Sequence, residues 1–488
     1  MGANASKRKR IALLILIILA ASFFRLYQIR GYAIFLGDEG RDALVVKRMI
    51  VDRDLTLLGP RTSVGDLYLG PAYYYLMTLP LWLSRLDPVG PAIMVALLGV
   101  ATVFLIYLIG QALFGLSTGL VAASLYAVSQ PIIEHTRFSW NPNPMPFFTG
   151  LSIYAFLRLI KNQKRIWAFI LGACLGVCLQ LHYLGSIFIL MIILLWVFSR
   201  SQIPRRTWLL ALGAFLLVLS PFILFEFRHN FVVTRSFRRF IKEDDKLGFN
   251  LGSYFKRAGF VFWRLFSHFL AVDQRWLALV LVIGAFFGFF SLVGKNKSGR
   301  RLMFIWLAVG VSGAAFYTGD IHDHYLGFLF LVPFLLTALF LERLKKTKFG
   351  FLAVLLFLGI FAKNLLNLDI FVGRAPNNQI RRAKEIGEII AQDARGSRFN
   401  LALVSPTNDF RAMNYRYFVE INDAQPEHYD NYSELETLYV IVEQEGIPLT
   451  DMTAWEIASF GDSETIAEWQ LEESGFKILK LGKRPGKK

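Results

Sequence analysis

Long apolar blocks separated by short polar connections fill the first three quarters of the chain. Blocks near 11–28, 89–110, 115–134, 144–160, 166–183, 185–199, 206–227, 276–294, 302–318, 325–341 and 349–368 each approach the ~20 apolar residues that a bilayer-crossing helix needs. They predict about eleven transmembrane helices, with the 166–199 pair the least clearly separated. Beyond residue 368 the pattern changes. "FNLALVS" (399–405) and "TLYVIVE" (437–443) predict strands, and "QIRRAKEIGEIIAQDA" (379–394) and "TAWEIASF" (453–460) predict helices. The fold class is an α-helical polytopic membrane protein, residues 1–369, followed by a small α/β domain, residues 370–488.

The first long connection, about 29–88, is not uniformly polar. "ALVVKRMI" has a helical apolar stripe, and "GPAYYYLMTLPLWLSRL" (70–86) is apolar and aromatic but interrupted by Pro71 and Pro80. Both predict helices lying along the membrane surface rather than crossing it.

Composition sharpens this picture. Of 488 residues, 55% are hydrophobic and 18% charged, which excludes a disordered chain. The net charge of +17 is unevenly placed: residues 370–488 hold 14 Lys and Arg against 19 Asp and Glu, and the preceding part 39 against 17. Much of the excess lies in "RLIKNQKR" (158–165), "SRSQIPRR" (199–206), "GKNKSGRR" (294–301) and "ERLKKTK" (342–348), with Lys7, Arg8, Lys9 and Arg10 before the first block. Alternating spans put all of these on one side, which the positive-inside rule makes cytoplasmic. The expectation is a multi-pass protein of the cell membrane, with a cytoplasmic N-terminus and an extracytoplasmic C-terminal domain. A basic balance of this origin points to lipid, not nucleic acid. Cleavage of the first block as a signal peptide is the less favoured reading, because no clean small-x-small site follows it. Cys174 and Cys178 lie in one block, four residues apart, and read as small packing residues.

The opposite, non-basic connections carry the candidate chemistry. "FLGDEGRDALVVKRMI" (35–50) puts Asp38, Glu39 and Asp42 within about one helical turn beside the membrane, where an ionisable group is a functional candidate. The plainer alternative is a helix start, with Asp38 as N-cap and Arg41 and Asp42 solvated. "EHTRFSWNPNPMPFF" (134–148) holds Arg137, Trp140 and Asn141, and "GDIHDHYLGFLFLVP" (319–333) holds His322, Asp323, His324 and Tyr325. His322 and His324 leave a divalent metal open, but they lack an obvious third ligand. A third such connection breaks the charge rule: Arg235, Arg238, Arg239 and Lys242 recur at spacings of three and four among Phe residues. That pattern suits a ligand with an anionic head and an apolar tail, or plain lipid headgroups.

These residues resemble the membrane-embedded GT-C glycosyltransferases. They are similar in particular to the dolichyl-phosphate-mannose–protein mannosyltransferase-like enzymes of glycosyltransferase family 39 and to the lipid A aminoarabinose transferases. The Asp-Glu pair after the first span, "YLGPAYYYL", "RFSWNPNPMPF" and "HDHYLGFLFLVP" occur in the family's order over about residues 10–340. Asn141 stands where several relatives carry a carboxylate, and His324 where many carry Arg. The resemblance implies an inverting transfer of a hexose or pentose from a polyprenyl-phosphate carrier to an acceptor hydroxyl, on protein, lipid or glycan, at the outer face. In it Asp38 would be the base, and Glu39 would position the acceptor or tune its neighbour's pKa. Arg137, Asn141, His322, His324, Tyr325 and the Arg235–Lys242 run would bind substrate, with a divalent metal left open and no other cofactor called for. The rival readings are a transporter or flippase, for which internal repeats and mid-span charge are missing, and an O-antigen ligase or polymerase-like protein.

Overall fold

The computed structural model describes residues 2–62, 67–199, 203–243, 250–292, 296–406, 411–443, 454–472 and 474–484. Residues 200–202 and 294–295 of the basic connections, and Thr453 at the start of a predicted helix, lie outside the described residues.

Every block predicted to span is helical. The first is Gly2–Leu26, followed by Val89–Phe114, Met145–Asn162, Arg165–Leu181, Gly185–Ser199, Arg205–Arg228, Arg275–Phe290, Lys297–Ala315 and Gly350–Leu366. Two blocks are broken. The 115–134 block divides into Leu116–Val128 and Gln130–His135, and the 325–341 block into a 3-10 turn, Asp323–Leu329, and Leu331–Leu344, bent by 56°. By length and apolarity alone, two described helices qualify as spans, Val89–Phe114 and Arg205–Arg228, and the bent pair makes a third. The count of eleven spans is therefore not met on that criterion, because several helices are only 13–17 residues long.

Polar groups mend the first break. Ser129 is extended and Pro131 follows it, so the chain cannot continue the helix there. Two of the carbonyls freed at the end of Leu116–Val128 accept from Arg25, at 3.3 Å from Tyr126 and 3.0 Å from Ala127. Arg25 is fully buried in the first helix. It is a structural cation, supplying the donors that the helix end lacks. Elsewhere small residues let helices touch, as membrane bundles require: a Cβ on Gly172 would lie 1.9 Å from the Ala211 carbonyl oxygen of the neighbouring helix. The buried free thiols of Cys174 and Cys178 belong to the same packing.

The C-terminal part builds a four-stranded sheet from β1 (Phe399–Val404), β2 (Thr437–Val442), β3 (Ser463–Gln470) and β4 (Lys477–Lys483), in the order β1-β2-β4-β3. β1 and β2 are parallel, and the other pairings antiparallel. β2 is buried on both faces, which is why its apolar residues run continuously rather than alternating. Helices Gln379–Asp393 and Met413–Ile421 cover one face, and Trp455–Phe460 the other. The first face shares a core with the helical part: Phe35 meets the rings of Tyr417 and Phe418 at 5.9 and 5.7 Å.

Candidate functional site

After one helical turn, Ile29–Tyr32, two longer helices occupy the first long connection, Gly37–Val51 and Ala72–Leu83. The second begins after Pro71 and runs through Pro80 instead of breaking there. On the first, Leu36 is the N-cap and Asp38 lies inside the first turn. The reading of Asp38 as a cap therefore does not hold, and neither does a solvated Asp42, which is fully buried.

The acidic run splits by direction. Asp38 is half exposed, with one carboxylate oxygen 2.7 Å from Arg41 Nη1 and the other accepting from Trp140 Nε1 at 3.2 Å. Asp38 and Arg41 both line a cavity of about 1140 Å³. Glu39 and Asp42 turn inward. Glu39 is buried and its Oε2 accepts the Leu36 N–H at 2.9 Å, closing the helix start. Burial pushes its carboxyl up to about 8, helped by the charges of Asp38 and Asp42 and opposed by the Leu36 N–H. Asp42 Oδ1 accepts from Arg41 Nε at 3.0 Å, Arg41 Nη2 at 2.8 Å and Tyr74 Oη at 3.1 Å. Burial pushes Asp42 up to about 6, against the pull of Arg41. Asp42 thus grips the guanidinium that Asp38 touches from the cavity side.

Both distant segments expected to join Asp38 reach the same cavity, though not with every expected residue. Asn141, His324 and Tyr325 line it, as does Trp140. Asn141 donates to the Leu181 carbonyl at 2.8 Å and is thereby committed to the fold. His324 lies 4.3 Å from Trp140, ring to ring, so Trp140 touches both the carboxylate and the imidazole. The segment is pinned by a two-bond grip of Arg264 on Asp323, at 2.8 and 2.9 Å.

Other expected residues sit elsewhere. Glu39 faces a small void beside Phe35 and Ser139 instead of the cavity. His322 is exposed and stacks 5.7 Å from His324, outside the cavity lining. Arg137 lies on another side of the fold, 2.9 Å from the Tyr27 carbonyl, 3.5 Å from Asp369 and 4.3 Å above the Tyr32 ring. Arg235, Arg238, Arg239 and Lys242 are exposed on the Val232–Glu243 helix, whereas Phe237, Phe240 and Ile241 of that helix wall the cavity. Among the described residues, no three His, Cys, Asp or Glu side chains gather as a metal site.

Several lining residues escaped the sequence reading. His182 and Tyr183 occupy the turn between two apolar helices, with His182 4.7 Å from the Tyr325 ring. Their signal was position: a polar pair between adjacent apolar blocks, on the same side as the histidine segment. Arg41 was visible as an i+3 partner of Asp38. The C-terminal part forms the roof, through Arg411, Arg416, Glu420, His428 and Tyr429. Its docking is intimate: a Cβ on Gly40 would lie 2.3 Å from the Asn414 backbone nitrogen. Lys47 and Arg48 reach Glu420 at 3.6 and 3.2 Å. Nothing in the local sequence announces contacts between residues some 370 positions apart.

A pocket walled by Phe and Tyr, and lined by guanidiniums and carboxylates that include Arg41 and Asp38, can hold an amphiphile and remove a proton from a hydroxyl beside it. Residues 69–225 match the dolichyl-phosphate-mannose-protein mannosyltransferase family. No curated protein matches the chain. Among solved structures, the chain is similar to ArnT from Cupriavidus metallidurans bound to undecaprenyl phosphate, at TM-score 0.63 and 12% identity, over 96% of this chain and 97% of that one. It is also similar to the archaeal oligosaccharyltransferase AglB from Archaeoglobus fulgidus in complex with an inhibitory peptide and a dolichol-phosphate. There the TM-score is 0.57 and the identity 12%, over 90% of this chain and 70% of that one. The chain thus carries the fold of the GT-C membrane glycosyltransferases, with a mannosyltransferase-family match over its residues 69–225.

Proposed function

We propose that this protein moves a sugar from a polyprenyl-phosphate carrier to an acceptor hydroxyl, with inversion, in the cavity that Asp38 and Arg41 line. The observation that carries the reading is the Asp38 carboxylate itself. It opens on a cavity of about 1140 Å³, held by Arg41 on one oxygen and by Trp140 on the other. The family match and the fold support the class of reaction, although the matched residues 69–225 do not include Asp38.

In this reading the acceptor oxygen attacks the anomeric carbon as Asp38 takes its proton. The bond from that carbon to the carrier phosphate breaks, and the phosphate leaves with the bonding electrons. A single attack from the opposite face inverts the centre. The base makes a poor nucleophile competent near neutral pH. The departing phosphate gathers negative charge that must be met by fixed positive charge. Arg41, gripped from behind by Asp42, lies 2.7 Å from Asp38 and so holds the base on the attacking side, while the phosphate on the opposite face falls to another cation of the cavity lining, Arg61 or Arg411. Phe237, Phe240 and Ile241 give the prenyl chain an apolar wall. Glu226 does not favour a transporter: it accepts the Val233 and Thr234 N–H groups at 2.9 and 2.8 Å and so caps a helix.

The extracytoplasmic placement of this cavity, of the C-terminal part (370–488) and of the acceptor belongs to the same proposal, and the segregation of basic connections supports it. The test is incubation of the purified full chain with a panel of polyprenyl-phosphate sugars and candidate acceptors. One donor should give a product of inverted anomeric configuration and free polyprenyl phosphate. Retention of configuration, or no release of carrier from any donor, overturns the reading.

A further inference from the structure

We propose that the basic face of the Val232–Glu243 helix is a docking surface for the anionic phospholipid headgroups of the surrounding bilayer, and that this docking holds one wall of the central cavity in place. At 100° per residue, Arg235, Arg238, Arg239 and Lys242 form one stripe, and Phe237, Phe240 and Ile241 the opposite one. The apolar stripe lines the cavity, with Phe237 stacked 5.6 Å from Tyr183. The four cations are all exposed, and none makes an ion pair with a described residue. They point away from the cavity and so cannot grip a phosphate inside it.

The height of the helix fixes what they meet. It starts four residues after Arg205–Arg228 ends, a helix long and apolar enough to cross a membrane. The turn between them is tight, with Asn230 and Phe231 in left-handed conformations and Glu226 capping the new helix start. The helix therefore leaves the bilayer at its surface and has little freedom to rise from it. Phe227, Phe231 and Val232, exposed at 67, 45 and 42%, mark the same level with apolar groups that water would not favour. Cations interleaved with exposed aromatics at the end of a span are what an anionic headgroup layer attracts. The basic connections read earlier lie at the opposite ends of their helices, so this stripe stands out at the cavity end.

The test reads hydrogen–deuterium exchange of residues 229–243 in the full chain, reconstituted in nanodiscs of zwitterionic lipid alone or with one third anionic phospholipid. Anionic lipid should slow exchange by about fivefold or more, and about 0.5 M salt should remove most of that protection. The R235Q/R238Q/R239Q/K242Q variant should show no lipid dependence, while exchange in Gln379–Asp393 stays as in the wild type. Equal exchange in the two lipids overturns the proposal. So does protection reproduced by soluble glycerol phosphate in zwitterionic discs, which would reveal a discrete phosphate site instead. The readout is independent of transferase activity, so it stands or falls apart from the proposed function.

Discussion

On the Gly37–Val51 helix, the side facing the cavity and the side facing the core put similar carboxylates to different use. Asp38 keeps half of its side chain open to the cavity and is held there by Arg41 and Trp140. Glu39, the next residue, closes the helix start from inside, and Asp42, one turn on, is fully buried against Arg41 and Tyr74. A turn of 100° separates Asp38 from Glu39, whereas Asp42, only about 40° round from Asp38, is buried by its place one turn further along the helix. The comparison predicts that changes on the core side cost stability, whereas changes at Asp38 cost turnover.

The largest stability effect belongs to Asp42→Ala. It strips the guanidinium of Arg41 of its buried partner and leaves the Tyr74 hydroxyl without an acceptor. Loss of one partner of a buried pair costs about 3–5 kcal/mol; Arg41 can still reach Asp38, so about 2–4 kcal/mol is expected here. Thermal unfolding in detergent should show a midpoint several degrees lower. A midpoint equal to the wild type would erase the distinction between the two sides.

Glu39→Gln acts in the other direction and depends on pH. The folded carboxyl is raised from 4.5 to about 8, so between those values the unfolded chain has lost its proton and the folded chain has kept it. The stability contributed by Glu39 is thus present below about 4.5 and is lost as pH rises to about 8. An amide still accepts the Leu36 N–H but carries no proton to lose. The variant should match the wild type near pH 5 and unfold at a higher temperature near pH 9, by a margin that grows between. Parallel curves would show that Glu39 is not held neutral by burial.

Much of this architecture was legible in the sequence, and the reasons differ by region. Nine of the eleven predicted blocks are single helices, because long apolar runs leave little else to form, and the other two are broken within the run. β1 and β2 were legible as apolar runs of strand length. β3 was not: "SETIAEWQ" is largely exposed and holds no apolar run, and its partner β4 mixes lysines with its apolar positions. The pairing of Asp38 with Trp140 and His324 in one cavity follows from all three connections lying at the same end of the bundle. Arg137 shows the limit of that logic. It comes from the right connection, but its own packing against Tyr27, Tyr32 and Asp369 turns it away. The basic stripe was visible as spacing, whereas the direction it faces depends on Phe237 and Tyr183 meeting from different helices.

The claim at the centre of this account is that Asp38 removes the acceptor's proton and does little to hold the donor. The direct measurement compares Asp38→Asn with the wild type for two quantities: the Kd for the polyprenyl-phosphate donor and the turnover number with donor and acceptor saturating. The account predicts a Kd within about threefold and a turnover number lower by about 10²–10⁴. A variant that transfers sugar at close to the wild-type rate, or one that loses turnover only because it no longer binds donor, would contradict it.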